Sequence, residues 1–193
     1  MSTRRSTLAS PPMLSWGDVL CARKCRRRQL RRLAAVGAFG IATLLATAVY
    51  PPVPRLVWNA SDSVRIGLYA VSPRAPVRPG DMVIARVPEP VRRFAATRRY
   101  LPLNVPLVKR VGATSGDEVC GLGQDIFVNR RWLAERQFMD SAGRPIPTWS
   151  GCLQLSRDQF FLLTDNPASF DGRYFGVTKG TDIIGKARLI WPR

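Results

Sequence analysis

The chain has 193 residues, 46% of them hydrophobic, and a formal net charge of +17 from 30 Lys+Arg against 13 Asp+Glu. That size and apolar content suffice for a core, which excludes a wholly disordered polymer. There is no histidine, which excludes a Ser-His-Asp triad and any imidazole-ligated metal centre.

Residues 1–32 carry nine Lys/Arg and one acid, Asp18; no charge then occurs from Leu33 to Pro54. The apolar run Leu33–Tyr50 would span about 27 Å as a helix, close to a bilayer core of ~30 Å. Pro51-Pro52 should stop that helix, and Tyr50 and Trp58 suit the membrane interface. The basic tail predicts a cytoplasmic N-terminus. The expected organisation is a basic cytoplasmic tail over 1–32, a transmembrane anchor over 33–50 and an exported domain over 55–193. The chain would then cross a bacterial inner membrane once, with that domain in the periplasm. A soluble buried helix would need apolar neighbours all round. A cleaved signal would use the small residues Ala46-Thr47-Ala48. The long tail and long uncharged stretch favour an uncleaved anchor. A compact basic tail beside an apolar run is a topology signal more than a DNA-binding one.

Beyond the anchor the texture is β. Residues 64–71, 82–87 and 106–113 read as strands, the first two separated by a turn-rich stretch. Residues 125–129 and 131–138 flank Asn129-Arg130 as a hairpin whose turn lacks glycine. Residues 153–165 and 183–191 supply the last strands. The basic segment 89–104 reads as a short helix or a mobile loop. The expected fold is mostly β. Cys120 and Cys152 fall in the exported part, where disulfides persist; a bridge between them is favoured over two buried thiols. Cys21 and Cys25 lie in the tail, and a lone C-x-x-x-C without histidine is a poor zinc site.

Without histidine, a serine nucleophile needs another base. Lysine can serve if burial disfavours its charged form enough to leave a neutral amine near pH 7. After residue 50 there are three lysines, Lys109, Lys179 and Lys186. In a strand, Leu107, Lys109 and Val111 share one face, so Lys109 lies among apolar neighbours. Lys179 sits in a polar turn. Lys186, also in a strand, is the rival, and a surface lysine lying along a strand edge is the plain alternative.

Three stretches occur in order: "SDSVRIGLY" (61–69), "LVKRVGATSGDEV" (107–119) and "TDNPASFDGRYFG" (164–176). Together they resemble the Ser-Lys signal peptidases, and the Gly-Leu-Tyr version most resembles the conjugative-transfer, TraF-like branch. The resemblance implies a signal-peptidase-like antiparallel β domain after a single N-terminal transmembrane helix. It implies Ser63 as nucleophile, Lys109 as general base and Ser61 as a hydroxyl that helps hold the oxyanion. In the late block it implies Asp165, Asn166, Ser169, Asp171 and Arg173, with Ser169 orienting the lysine and Asp171 as an acid beside the dyad. Two positions depart from the pattern. Arg65 replaces a proline, and Gly172 replaces a serine, so one supporting hydrogen bond is expected to be missing. An Asp171–Lys109 pair would favour the ammonium. Asp171 is therefore expected to bind Arg173 or to act through Ser169, unless it is a plain turn aspartate.

The implied activity is a membrane-anchored serine endopeptidase that processes exported precursors and matures, or even cyclises, a conjugative pilin. Its implied partners are the precursor, the inner membrane and the conjugative transfer machinery. No cofactor, metal or specific nucleic acid is expected. A general type I signal peptidase is the nearest alternative. A non-enzymatic basic component of a transfer channel, binding through Arg92, Arg93, Arg98 and Arg99, is the alternative of another class.

Overall fold

The structure is a computed structural model that describes residues 12–50 and 53–193. The Pro51-Pro52 helix stop and residues 1–11 of the basic tail lie outside the described residues. The chain divides into two units, Met1–Pro52 and Val53–Arg193.

In the first unit a single helix, α1, runs over Pro12–Val49 and takes in the basic segment as well as the apolar run. Its Val19–Val49 portion is long and apolar enough to cross a membrane. The Thr43 and Thr47 hydroxyls donate back to the Phe39 and Leu44 carbonyls at 2.9 and 2.8 Å. No bare donor is then left on that stretch at those two positions, as an apolar surrounding requires. Cys21 and Cys25 are free and exposed on this helix.

The second unit is built on two antiparallel sheets. Its strands are β1 (Leu56–Asn59), β2 (Gly67–Ser72), β3 (Met82–Ala85), β4 (Leu107–Ala113), β5 (Glu118–Leu122), β6 (Asp125–Val128), β7 (Arg131–Glu135), β8 (Gly151–Gln154), β9 (Gln159–Leu163), β10 (Val177–Lys179) and β11 (Ile183–Pro192). The large sheet has the order β1-β2-β11-β3-β4-β9-β10 and the small one β7-β6-β5-β8. The last strand in sequence, β11, is thus inserted between β2 and β3. Segment 89–104 contains a helix, α2 (Glu89–Thr97). A single turn, α3 (Gly172–Phe175), completes the inventory of α-helices among the described residues.

The β6–β7 hairpin turns on Asn129 (φ 49°) and Arg130 (φ 65°). Both central residues take the left-handed conformation that a two-residue hairpin requires, without the usual glycine. The expected run 153–165 is split: β8 pairs with β5 in the small sheet, and β9 pairs with β4 in the large one. Cys120 and Cys152 are directly opposed in the β5–β8 register and are joined by a disulfide.

Alternation across the sheet decides where Lys109 points. Val108 is opposite Ile84, and both belong to a cluster with Tyr69, Val71 and Ala187. Lys109 is opposite Val83 on the other face. There Val83, Ala85, Val111 and Leu162 form one cluster, and Val87, Ala95 and Leu107 another. Successive side chains of a strand face opposite ways, so the lysine enters a layer otherwise made of aliphatic side chains.

Candidate active site

Ser61 and Ser63 stand in the turn between β1 and β2, and the turn is held from inside. The buried Asn59 side chain donates to the Ser61 and Val64 carbonyls at 2.9 and 3.1 Å and accepts from the Ser61 N–H at 3.3 Å. The Tyr69 hydroxyl donates to the Arg65 carbonyl at 2.7 Å. Gly67, the first residue of Gly-Leu-Tyr, has φ 153°, and a Cβ there would run into the Trp191 carbonyl of β11. Two residues of that motif therefore have local structural reasons. The turn meets the late block where Asn166 Nδ2 donates to the Asp62 carbonyl at 3.2 Å.

Within the turn, Ser61 Oγ donates to Ser63 Oγ at 2.9 Å and accepts from the Ser63 N–H at 3.2 Å. Ser63 lines a cleft of about 380 Å³ together with Val64, Tyr69, Met82, Arg110, Thr164 and Asp165. Arg110 and Asp165 pair across exposed surface at 3.5 Å.

Lys109 is 2% exposed, and its ammonium nitrogen donates to Ser169 Oγ. Burial lowers its pKa from 10.5 to about 8; the nearby Asp171 charge opposes that shift and the Arg173 charge reinforces it. Asp171 does not hydrogen-bond the lysine. Its carboxylate, 0% exposed, takes two bonds from the Arg173 guanidinium, Nε at 2.9 Å and Nη2 at 2.7 Å, and one each from the Arg173 and Thr164 N–H groups at 3.2 Å. The guanidinium also donates to the Asn166 carbonyl at 2.6 Å. A buried ion pair with this geometry keeps the aspartate's charge compensated close to the amine. The alternative of a plain solvated turn aspartate does not describe a carboxylate so enclosed.

The structure brings Lys109, Ser169, Asp171 and Arg173 together, and Ser61 with Ser63. Among the described residues no hydrogen bond joins Ser63 to Lys109. The rival Lys186 is half-buried and pairs with Asp81 at 2.8 Å, and Lys179 is exposed at the end of β10. Gly172 is packed closely: a Cβ would stand 2.6 Å from the Leu162 carbonyl and 3.0 Å from the Phe161 ring. The serine found there in the family pattern has no room. Glu118, Cys120 and Cys152 lie together, but both sulfurs are in the disulfide. In the basic segment, Arg92 donates to the Val87 carbonyl at 3.1 and 3.0 Å. Arg98 lies over the Phe94 ring, 5.1 Å from its centroid. Two of its four arginines are thus engaged within the fold.

Sequence reasoning missed Asn59, Thr164 and the aromatic brace behind the late block. Phe170, between Ser169 and Asp171, packs on Phe94, Tyr100, Tyr174 and Phe175. The aromatic spacing in 89–104 was the available signal for that brace.

The family model described as signal peptidase, peptidase S26, matches residues 28–192. The chain belongs to the signal peptidase S26 family. It is 34% identical over 179 residues to the plasmid transfer protein TraF of Escherichia coli, with 86% of this chain and 99% of the relative covered. It is 29% identical over 141 residues to a probable conjugal transfer protein TraF of Sinorhizobium fredii (strain NBRC 101917 / NGR234), covering 68% and 74% of the two. A crystal structure of a signal peptidase I from Enterococcus faecalis V583 matches with TM-score 0.35 and 23% identity, over 60% of this chain and 98% of that one. The S26 family carries serine peptidase chemistry. The apolar helix α1 is a candidate membrane anchor or signal sequence in this signal-peptidase-like protein.

Proposed function

We propose that the chain is a serine endopeptidase in which Ser63 attacks the scissile carbonyl and Lys109 takes its proton. The observation that carries this reading is the burial of Lys109 in a chain without histidine. With a pKa of about 8, about a tenth of the amine is neutral at pH 7, against about one part in three thousand for a free lysine. Ser169 holds the amine, and the Asp171–Arg173 pair keeps the aspartate from capturing it. Hydrogen bonds of a resting acid–base pair are often open and tighten once substrate is bound; closure of the Ser63 turn onto Lys109 belongs to that step. The Ser61 hydroxyl turns from Ser63 to the oxyanion, and the Ser63 N–H joins it. Losing one such donor typically costs about 2.7–4 kcal/mol. The ammonium then protonates the leaving amine, and an acyl-enzyme remains on Ser63.

The two TraF relatives support a place in conjugation with the transfer machinery; the substrate we propose is an exported pilin precursor. The substrate's own amine, arriving before water, would close the chain into a ring. Helix α1 anchors the peptidase in the inner membrane with the β unit in the periplasm, where the Cys120–Cys152 bond is stable.

The test is processing of a co-expressed exported pilin precursor, weighed by mass spectrometry. Ser63→Ala and Lys109→Ala each abolish processing, and Lys186→Ala does not. Normal processing with either of the first two refutes the assignment. A product lighter than the linear form by one water marks ring closure.

A further inference from the structure

One buried hydroxyl beside Ser63 has no part in the chemistry described so far. Thr164 lines the Ser63 cleft and is 3% exposed, yet its Oγ1 has no hydrogen-bond partner in the protein. Both of its backbone polar groups are occupied: the N–H donates to Asp171 Oδ2, and the carbonyl accepts from Arg173 Nη2, each at 3.2 Å. The ion pair therefore fixes the residue and leaves its hydroxyl unspent. A buried polar group without a partner costs about 1–3 kcal/mol, and such groups in native proteins call for an explanation. Thr178 Oγ1 is also unpaired, but Thr178 does not line this cleft.

Register gives the hydroxyl its neighbour. Arg110 on β4 is opposite Leu163 on β9. One residue further along the same antiparallel alignment, Thr164 comes opposite Lys109, and directly opposed residues project from the same face. Thr164 thus lines the Ser63 cleft and shares a sheet face with Lys109. Ser169, the other hydroxyl at the amine, is already taken by Lys109.

We infer that Thr164 Oγ1 holds the water that resolves the Ser63 acyl-enzyme. The inference rests on the Ser63–Lys109 reading above. The water oxygen attacks the ester carbon and gives one proton to the neutral Lys109 amine. Its other O–H donates to Thr164 Oγ1, which aims a lone pair at the carbon. The bond from carbon to Ser63 Oγ then breaks, and Lys109 returns the proton to that oxygen. A carboxylic acid leaves, and Ser63 is regenerated.

The experiment uses the full chain in non-ionic detergent micelles with p-nitrophenyl butyrate as probe. The nitrophenol burst reports acylation, and the steady rate reports deacylation. Thr164→Val is expected to keep the burst and to slow the steady rate about tenfold, the worth of one hydrogen bond. The butyryl adduct on Ser63 accumulates in the mass spectrum, and Thr164→Ser restores the steady rate. A steady rate unchanged in Thr164→Val overturns the inference, as does an equal loss in both phases. A burst that persists in Ser63→Ala overturns the underlying reading instead.

Discussion

Replacing Lys109 with methionine should make the protein more stable at neutral pH while destroying its proposed base. The folded amine has a pKa of about 8 against 10.5 for the free group. Carrying the buried charge below pH 8 costs the folded state about 3 kcal/mol relative to the unfolded chain. The sign follows from proton counting: between those two values the unfolded chain binds more protons, so stability climbs as pH rises. The penalty is full at pH 7 and falls to about 1 kcal/mol at pH 10. Methionine removes it but orphans the Ser169 hydroxyl, a loss of about 1 kcal/mol. The expected gain is therefore about 2 kcal/mol at pH 7, vanishing near pH 10. Urea titrations of the full chain in micelles, read by tryptophan fluorescence at pH 7, 8.5 and 10, measure it. A difference between the proteins that stays constant across that range would refute the burial argument, and so would a methionine variant less stable at pH 7.

Proteolytic rate should rise with pH through about 8 as Lys109 loses its proton, and level off above. Arg173→Ala should move that rise to higher pH, because Asp171 is left uncompensated beside the amine, and should cost about 3–5 kcal/mol of stability; a pH–rate profile and a melt report the two effects. Exchanging both Cys120 and Cys152 for serine opens a bridge between residues 32 apart, which should lower unfolding free energy by about 3–4 kcal/mol in denaturant titrations. Gly172→Ser, the residue of the family pattern, should destabilise by about 1–3 kcal/mol through overpacking, visible as a lowered melting temperature.

What could be read from the chain alone was what is local. The uncharged run marked the later part of α1 but not its extension back through the basic segment to Pro12, and short β-rich segments marked most strands. Alternation over Leu107–Val111 placed Lys109 on the apolar face before any neighbour was known. The glycine-free hairpin at Asn129-Arg130 was legible because strand patterns flanked it. Lys109 and Lys186 looked alike as strand lysines. Both stand opposite Val83, one on each neighbouring strand, and they are separated by what each amine reaches, the buried Ser169 hydroxyl for one and the Asp81 carboxylate for the other. Pairings distant in sequence were out of reach. Asn166 reaching Asp62, Thr164 opposite Lys109 and Phe170 packed on α2 each join segments whose separation no pattern encodes. Gly172 misled for the same reason. Its absent hydroxyl read as a missing hydrogen bond, whereas the space belongs to Leu162 and Phe161.

The position of β11 bears on when this molecule can act. Ser63 belongs to the β1–β2 side of the large sheet and Lys109 to the β3–β4 side, and the strand that joins them, β11, comes later in sequence than all four. A nascent chain still short of residue 183 holds Ser63 and Lys109 on strand pairs that share no strand. Under the proposed Ser63–Lys109 chemistry, activity therefore waits on β11, and a chain cut short before residue 183 should have none.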